Sequence, residues 1–291
     1  MDSFLTETLL NDPETLRAHI EASMGIEALG GGIVGPDPRQ LKRNSVVLFV
    51  LSTCNAGQGA TEPCLILNKR STRVRQGGDL CCPGGGFSWH TDRLLAHLMS
   101  LPGSPLRRWP GWAGRRTARG RALALLLAAG LREAWEEMRL NPLGVTFLGM
   151  LPRQHLVMFK RVIYPMVGWA SAQPLKPNWE VARIVPIPLR HLLDPERYGR
   201  FRPVVAPENG NRHEPLRHDD FPCFIHQDAH GREMLWGATY RITQSFLARV
   251  FGFNPPDMDH LPVVRRELDA AYLNGSRWHP QAARPKDAAD W

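Results

Sequence analysis

The sequence predicts a mixed α/β (α+β) fold, a mixed sheet with helices packed on it, and three observations carry that prediction. Apolar runs of strand length recur along the chain, among them "SVVLFVLS" at 45–52 and "CLILNKR" at 64–70. Two segments have the composition of strong helices, "RALALLLAAGLREAWEEM" at 121–138 and the stretch from about Gly237 to Phe251. Strands and helices do not alternate with βαβ regularity, which argues against an all-parallel sheet.

The elements follow in order. Residues 9–24, "LLNDPETLRAHIEASM", read as a short helix with Asn11 or Asp12 as N-cap before Pro13. The two buried strands at 45–52 and 64–70 come next, then a loop, "QGGDLCCPGGGFSWHTD". A helix at "DRLLAHLM" and a Gly/Pro/Trp/Arg-rich section over 102–121 lead into the 121–138 helix. Further strands are expected at 144–151, 160–170, 180–187 and 221–227, with a helical turn at "RHLLD" after Pro188. Beyond Asn254 the tail holds three prolines by 262, and "VVRRELDAAYL" reads as a short helix. No internal repeat is visible.

Composition narrows the class. The 291 residues are 43% hydrophobic and 22% charged, ordinary for a globular protein. The longest apolar run, Ala122 to Leu131, is 10 residues against the roughly 20 a membrane span needs. "MDSFLTETLL" has acids and no basic n-region, so a secretory signal is not expected. Five cysteines without a CxxC pair suggest reduced thiols in a cytoplasmic setting. His213, His218, His226 and His230 are close in sequence but lack zinc-site spacing. The net charge of +8 is local: seven arginines and no acid lie between 93 and 131, which leaves about +1 elsewhere. That points to an anionic partner at one place on the molecule.

The chemistry concentrates in "GLREAWEEM", 130–138. At about 100° per residue, Glu133, Glu136 and Glu137 share one helix face, while Leu131, Ala134, Trp135 and Met138 form the face expected to be buried. Arg132 can pair with Glu136 one turn on, which relieves part of the repulsion among the acids. A solvated acidic face accounts for the pair of glutamates alone. A divalent cation accounts for all three, since Mg²⁺ and Mn²⁺ prefer oxygen ligands and bridge phosphate oxygens. The upstream glycines fit the second reading, because a Gly turn lets backbone approach a ligand closely.

This constellation resembles the box of the Nudix hydrolases, in which a glycine is followed six residues on by an acid, then by Arg-Glu-x-x-x-Glu-Glu. Gly86, Asp92, Arg132, Glu133, Glu136 and Glu137 supply those positions. Two features depart from the pattern. Residues 93–131 put 39 positions between the acid and the arginine where seven are usual, and Arg139 stands where a glycine normally follows the paired glutamates. The turn after the helix is therefore expected to differ from the family's. Outside the box, "LNKRSTRVRQGGDLCCPGGG", "PNWEVARIVPIPLRHLLDP" and "WGATYRITQSF" are similar, in order, to segments of the coenzyme A pyrophosphatase branch.

The resemblance implies a Nudix fold, a mixed sheet sandwiched between helices, with a long Arg-rich insertion inside the box. It divides the chain into an N-terminal helical extension (1–44), a hydrolase domain (45–254, insertion about 93–121) and a C-terminal tail (255–291). It implies Mg²⁺- or Mn²⁺-dependent cleavage of a diphosphate in a nucleotide-type substrate, coenzyme A or acyl-CoA first, with ADP-ribose, NADH or a dinucleotide as alternatives. Glu133, Glu136 and Glu137 are then the expected metal ligands, with Asp92 a lesser one, and Arg132 orients the glutamates. Glu180 is the candidate base or additional ligand. Arg70 and Arg75 are the candidates for holding phosphate, and the backbone of Gly84, Gly85 and Gly86 lines the substrate. No membrane partner is expected. A nucleic-acid-binding module on a degenerate scaffold is the alternative of another class, kept open by the Arg-rich insertion.

Overall fold

The computed structural model describes residues 3–24, 44–57, 60–112, 114, 117–156, 161–205, 214–215, 220–268 and 272. The chain opens with α1 (Ser3–Asn11) and α2 (Pro13–Ser23). They meet at Asp12, whose carboxylate accepts from the N–H groups of Glu14 and Thr15 and caps α2 ahead of Pro13. One helix was expected here; the cap divides it in two.

β1 (Asn44–Gly57) is the centre of the larger sheet. It runs antiparallel to β2 (Ala60–Arg70) and to the short β4 (Gly84–Gly86), and β3 (Leu80–Cys81) adds to the far side of β2. Helices occupy much of the described part of the 93–121 region: α3 (Trp89–Leu98), α4 (Pro105–Arg108) and the start of α5 (Ala118–Met138), which Thr117 caps by accepting from Gly120 N–H. β5 (Val145–Met150), β6 (Gln154–Leu156) and β7 (Arg161–Ala170) follow, with β7 parallel to β1 and antiparallel to the other two. β8 (Val181–Pro188) returns along β2, and α6 (Leu189–Leu192) is the turn expected after Pro188.

Two apolar layers explain why the central strands read as unbroken hydrophobic runs. Val46, Leu48 and Val50 of β1 face α3, α4 and α5, whereas Phe49 and Leu51 face α1, α2 and the last helix. β7 alternates in the same way, with Tyr164 and Met166 on one side and Ile163 and Val167 on the other. Alternating side chains on a sheet covered on both faces are all apolar. The insertion contributes to this core directly: Ala96, Met99, Leu106 and Trp109 are buried, and Trp109 meets Phe147 edge-on at 5.0 Å.

A second sheet comprises β9 (Tyr198–Val205), β10 (Glu214–Pro215), β11 (Phe221–Asp228), β12 (Gly231–Trp236) and, after α7 (Gly237–Phe251), β13 (Val263–Leu268). β13 pairs with β9 in parallel, where the sequence reading expected a helix. Val264, Arg266 and Leu268 turn inward and their neighbours outward, so period two prevails over helical propensity here. Trp236 packs among Phe201, Phe221 and Tyr272, as a core aromatic. Among the described residues, no helix is long and apolar enough to cross a membrane.

Candidate active site

The acidic end of α5 lies against β4, the glycine strand. A side chain on Gly84 would strike the Val46 carbonyl and come within 2.6 Å of Val47 Cα, so this position needs glycine for the strand to close on β1. Gly85 makes room for a side chain rather than for backbone. A Cβ there would stand 2.6 Å from Glu133 Oε1 and 2.8 Å from Oε2, so the Glu133 carboxylate fills the space a side chain would take.

Arg132 organises the acids around it. Its Nε donates to Asp92 Oδ1 at 2.7 Å, its Nη1 to Glu136 Oε2 at 3.0 Å, and its Nη2 to the Gly86 carbonyl at 3.0 Å. Nη2 also lies 3.0 Å from Glu133 Oε1. Asp92 is fully buried, and its Oδ2 accepts from Ser88 N–H at 2.7 Å as well as from Arg132 Nη2 at 3.4 Å. Burial works against the Arg132 charge, but the Asp92 hydrogen bond and the charges of Glu133, Asp92 and Glu136 hold it above the usual arginine range.

Glu137 is the most enclosed of the three α5 glutamates, at 7% exposure. Its Oε2 accepts from Asn68 Nδ2 at 2.9 Å and from Gly84 N–H at 3.2 Å. Burial first, and then the charge of Glu133, push its carboxyl up to about 7. Glu133 is likewise raised, chiefly by burial, although Arg132 opposes the shift. Glu136 stays at the surface, its side chain 52% exposed.

Arg70 and Glu180 lie close enough for their charges to act on Glu137, the arginine lowering its pKa and the glutamate raising it. Glu180 is set by its backbone: its N–H donates to Asn178 Oδ1 at 2.8 Å and its carbonyl accepts from Ser71 N–H at 2.8 Å. Arg70 Nε donates to the Arg75 carbonyl at 2.8 Å, within a turn where Gln76 takes the left-handed conformation at φ 56. The Arg75 side chain is exposed. Arg115 and Arg116 lie outside the described residues, as do His213 and His218.

Two expectations about α5 change. Trp135 is 45% exposed, with the Arg139 guanidinium 5.5 Å from its ring centroid, while Leu131, Ala134 and Met138 are buried as expected. The buried arc has rotated toward Glu137, which leaves Trp135 at its far edge. The helix end also keeps the form that glycine usually gives: Arg139 itself is left-handed at φ 58, its N–H bonds the Trp135 carbonyl at 3.0 Å and Leu140 N–H reaches Ala134 at 3.4 Å.

Asn68 was not singled out from sequence. The signal was present, because an asparagine inside the apolar run "CLILNKR" and only 1% exposed must spend its amide on a buried partner.

The acids fit a hard cation through their chemistry rather than through a finished cage. Burial raises both Glu133 and Glu137, and the Glu133 charge raises Glu137 further, while Arg132 pairs with Asp92, Glu136 and one oxygen of Glu133. Among the described residues, no three His, Cys, Asp or Glu side chains converge tightly enough to enclose an ion. Mg²⁺ characteristically takes one or two carboxylates and completes its shell with water and substrate phosphate.

No protein-family model matches the chain, and no curated protein does. Solved structures share part of the architecture. A Nudix hydrolase from Alicyclobacillus acidocaldarius is similar at a TM-score of 0.35 and 16% identity, over 52% of this chain and 81% of that one. A MutT/nudix family protein from Enterococcus faecalis aligns at 0.35 and 10% identity, over 83% of this chain and 75% of that one. The Nudix hydrolase RenU from M. smegmatis aligns at 0.31 and 15%, over 52% and 73%. Likeness at these scores carries no argument about activity, and the functional reading rests on the side chains.

Proposed function

We propose that this chain is a pyrophosphohydrolase dependent on Mg²⁺ or Mn²⁺ that cleaves the diphosphate of a nucleoside diphosphate derivative. The observation that carries it is the pairing of two burial-raised carboxylates, Glu133 and Glu137, against a glycine strand in which Gly84 must be glycine to close and Gly85 leaves room for the Glu133 carboxylate. A solvated acidic face needs neither the burial nor the glycines.

Glu133 and Glu137 would hold the cation, with Glu136 joining them by releasing Arg132. When bound, the cation offsets the diphosphate charge and makes water a stronger nucleophile. Asp92 is better read as the residue that fixes Arg132 than as a ligand, since both of its oxygens are already hydrogen-bonded. Arg132 in turn orients Glu133 and Glu136. Arg70 and Arg75 offer guanidinium groups to phosphate oxygens. Glu180 is the candidate to take a proton as water attacks phosphorus. The bridging P–O bond then breaks and two phosphomonoesters leave.

Coenzyme A or acyl-CoA, cleaved to phosphopantetheine and 3′,5′-ADP, is the substrate favoured by the three similar segments outside the box and by the arginine-rich insertion. The nucleic-acid reading is weakened by what the arginines do: Arg108 donates to the Leu143 and Val145 carbonyls, and Arg93 covers Trp89. A panel of diphosphates assayed with Mg²⁺ or Mn²⁺, with phosphate-bearing products followed, tests the proposal. Glu137→Gln should lower turnover by about two orders of magnitude or more, because a neutral amide binds these cations poorly. Turnover near wild type in that variant, or no turnover of any panel member by the wild type, would overturn it.

A further inference from the structure

Trp179 stands in the loop between β7 and β8, which is hydrogen-bonded both to the acidic end of α5 and to the arginine-bearing turn, and it is 61% exposed. Leaving an indole in water forgoes one of the largest hydrophobic gains a side chain can make. The chain nevertheless spends several hydrogen bonds on holding this position. Lys176 N–H and Asn178 N–H donate to the Met138 and Glu137 carbonyls, at 2.9 and 2.8 Å. Val181 N–H closes a turn on the Asn178 carbonyl at 3.3 Å, and Glu180 is tied to Asn178 and Ser71 as described above. One neighbour of Trp179 is therefore fixed to the residue that carries the Glu137 carboxylate, and the other to the start of the turn that carries Arg75.

Trp135, the other exposed tryptophan among the described residues, behaves differently. Trp135 is covered on one face by Arg139. Among the described residues, Trp179 has no ring contact, cation or hydrogen bond of its side chain. An aromatic plane on an anchored backbone, bare at the rim of a site for diphosphates, matches what a nucleotide carries besides its phosphates. Every base presents a π-face, and an indole on an anchored backbone has only two side-chain torsions to fix when it is covered.

We infer that Trp179 is the platform on which the base of the nucleotide stacks, a role that rests on the pyrophosphohydrolase reading. The plane selects for an aromatic base and against diphosphates that lack one; it does not discriminate among bases by hydrogen bonding.

The test compares wild type, Trp179→Ala and Trp179→Phe by calorimetry in Mg²⁺, with ADP as the nucleotide and tripolyphosphate as the base-free ligand. Trp179→Ala should bind ADP about tenfold or more weakly, Trp179→Phe should recover most of that loss, and tripolyphosphate should bind all three alike. The exposed position leaves folding intact, which a thermal melt verifies. ADP affinity within twofold of wild type in Trp179→Ala overturns the inference, as does an equal loss for both ligands. A wild type that binds neither ligand overturns the diphosphate reading itself, a distinct result.

Discussion

Asp92 and Arg132 are 40 positions apart in sequence and form a 2.7 Å ion pair in which the aspartate is fully buried. The pair spans the two ends of the insertion, so whatever the insertion contributes, the acid and the arginine are returned to one another. Removing one partner of a buried pair strands the other and typically costs about 3–5 kcal/mol. Asp92→Ala should therefore lower the thermal midpoint strongly, and Asp92→Ala with Arg132→Ala should cost less than the two single changes added together. Additive losses in that double-mutant cycle would show that the pair does not act as a unit.

Gly84→Ala and Gly85→Ala separate folding from function. The first meets backbone, since Val47 Cα stands 2.6 Å from the new Cβ, and β4 cannot close on β1 without a shift. The second meets only the end of the Glu133 side chain, which can swing away. Gly85→Ala should keep a melt close to wild type and lose turnover, about tenfold or more, because Glu133 is displaced. Gly84→Ala should lose stability as well. A Gly85→Ala enzyme with wild-type turnover would show that the Glu133 position does not matter.

The legibility of this molecule in its sequence follows the range of the interactions. Period and propensity gave the strands at 45–52 and 64–70 and the long helix, because both faces of the central sheet are covered and the runs are long. The three glutamates were legible for the same local reason. Residues 263–268 were misread because an arginine-rich stretch with good helix formers becomes a strand only when β9 is there to pair with it. Within the insertion the helix at "DRLLAHLM" was legible, but α4 was not, because it is four residues long and its neighbour Trp109 is buried against Phe147 of β5, far along the chain. The partner that Asn68 bonds, Glu137, and the carboxylate that Gly85 makes room for, Glu133, are set only by the fold, since each is far away in sequence.

The α5 surface makes a sharp contrast between neighbours. Met138 is fully buried, whereas Trp135 is 45% exposed. Met138→Ala should cost about 2–5 kcal/mol, as a cavity-forming change does. Trp135→Ala should cost less than about 1.5 kcal/mol, mostly the loss of the Arg139 contact and partial burial. Chemical denaturation of the two variants decides the matter: a larger loss for Trp135→Ala would mean that the helix is rotated from the arrangement described.

Glu137 gives a stability signature that depends on pH and on the cation. A carboxyl raised on folding opposes the folded state once it is ionised. The penalty is absent below the ordinary value of 4.5, grows as pH climbs toward about 7, and is complete above it. At 1.36 kcal/mol per pKa unit it reaches about 3 kcal/mol. Glu137→Gln keeps an acceptor for Asn68 and Gly84 and removes the charge. Without divalent metal, that variant should be more stable than wild type at pH 8, by up to about 3 kcal/mol, and the advantage should vanish near pH 4. Mg²⁺ or Mn²⁺ should narrow the gap at pH 8 by stabilising wild type more than the variant, because the cation meets the charge that burial leaves uncompensated. Melts of both proteins across pH, with and without metal, measure this. A gap that is independent of pH would remove burial as the cause, and a gap that metal does not narrow would remove Glu137 from the cation site.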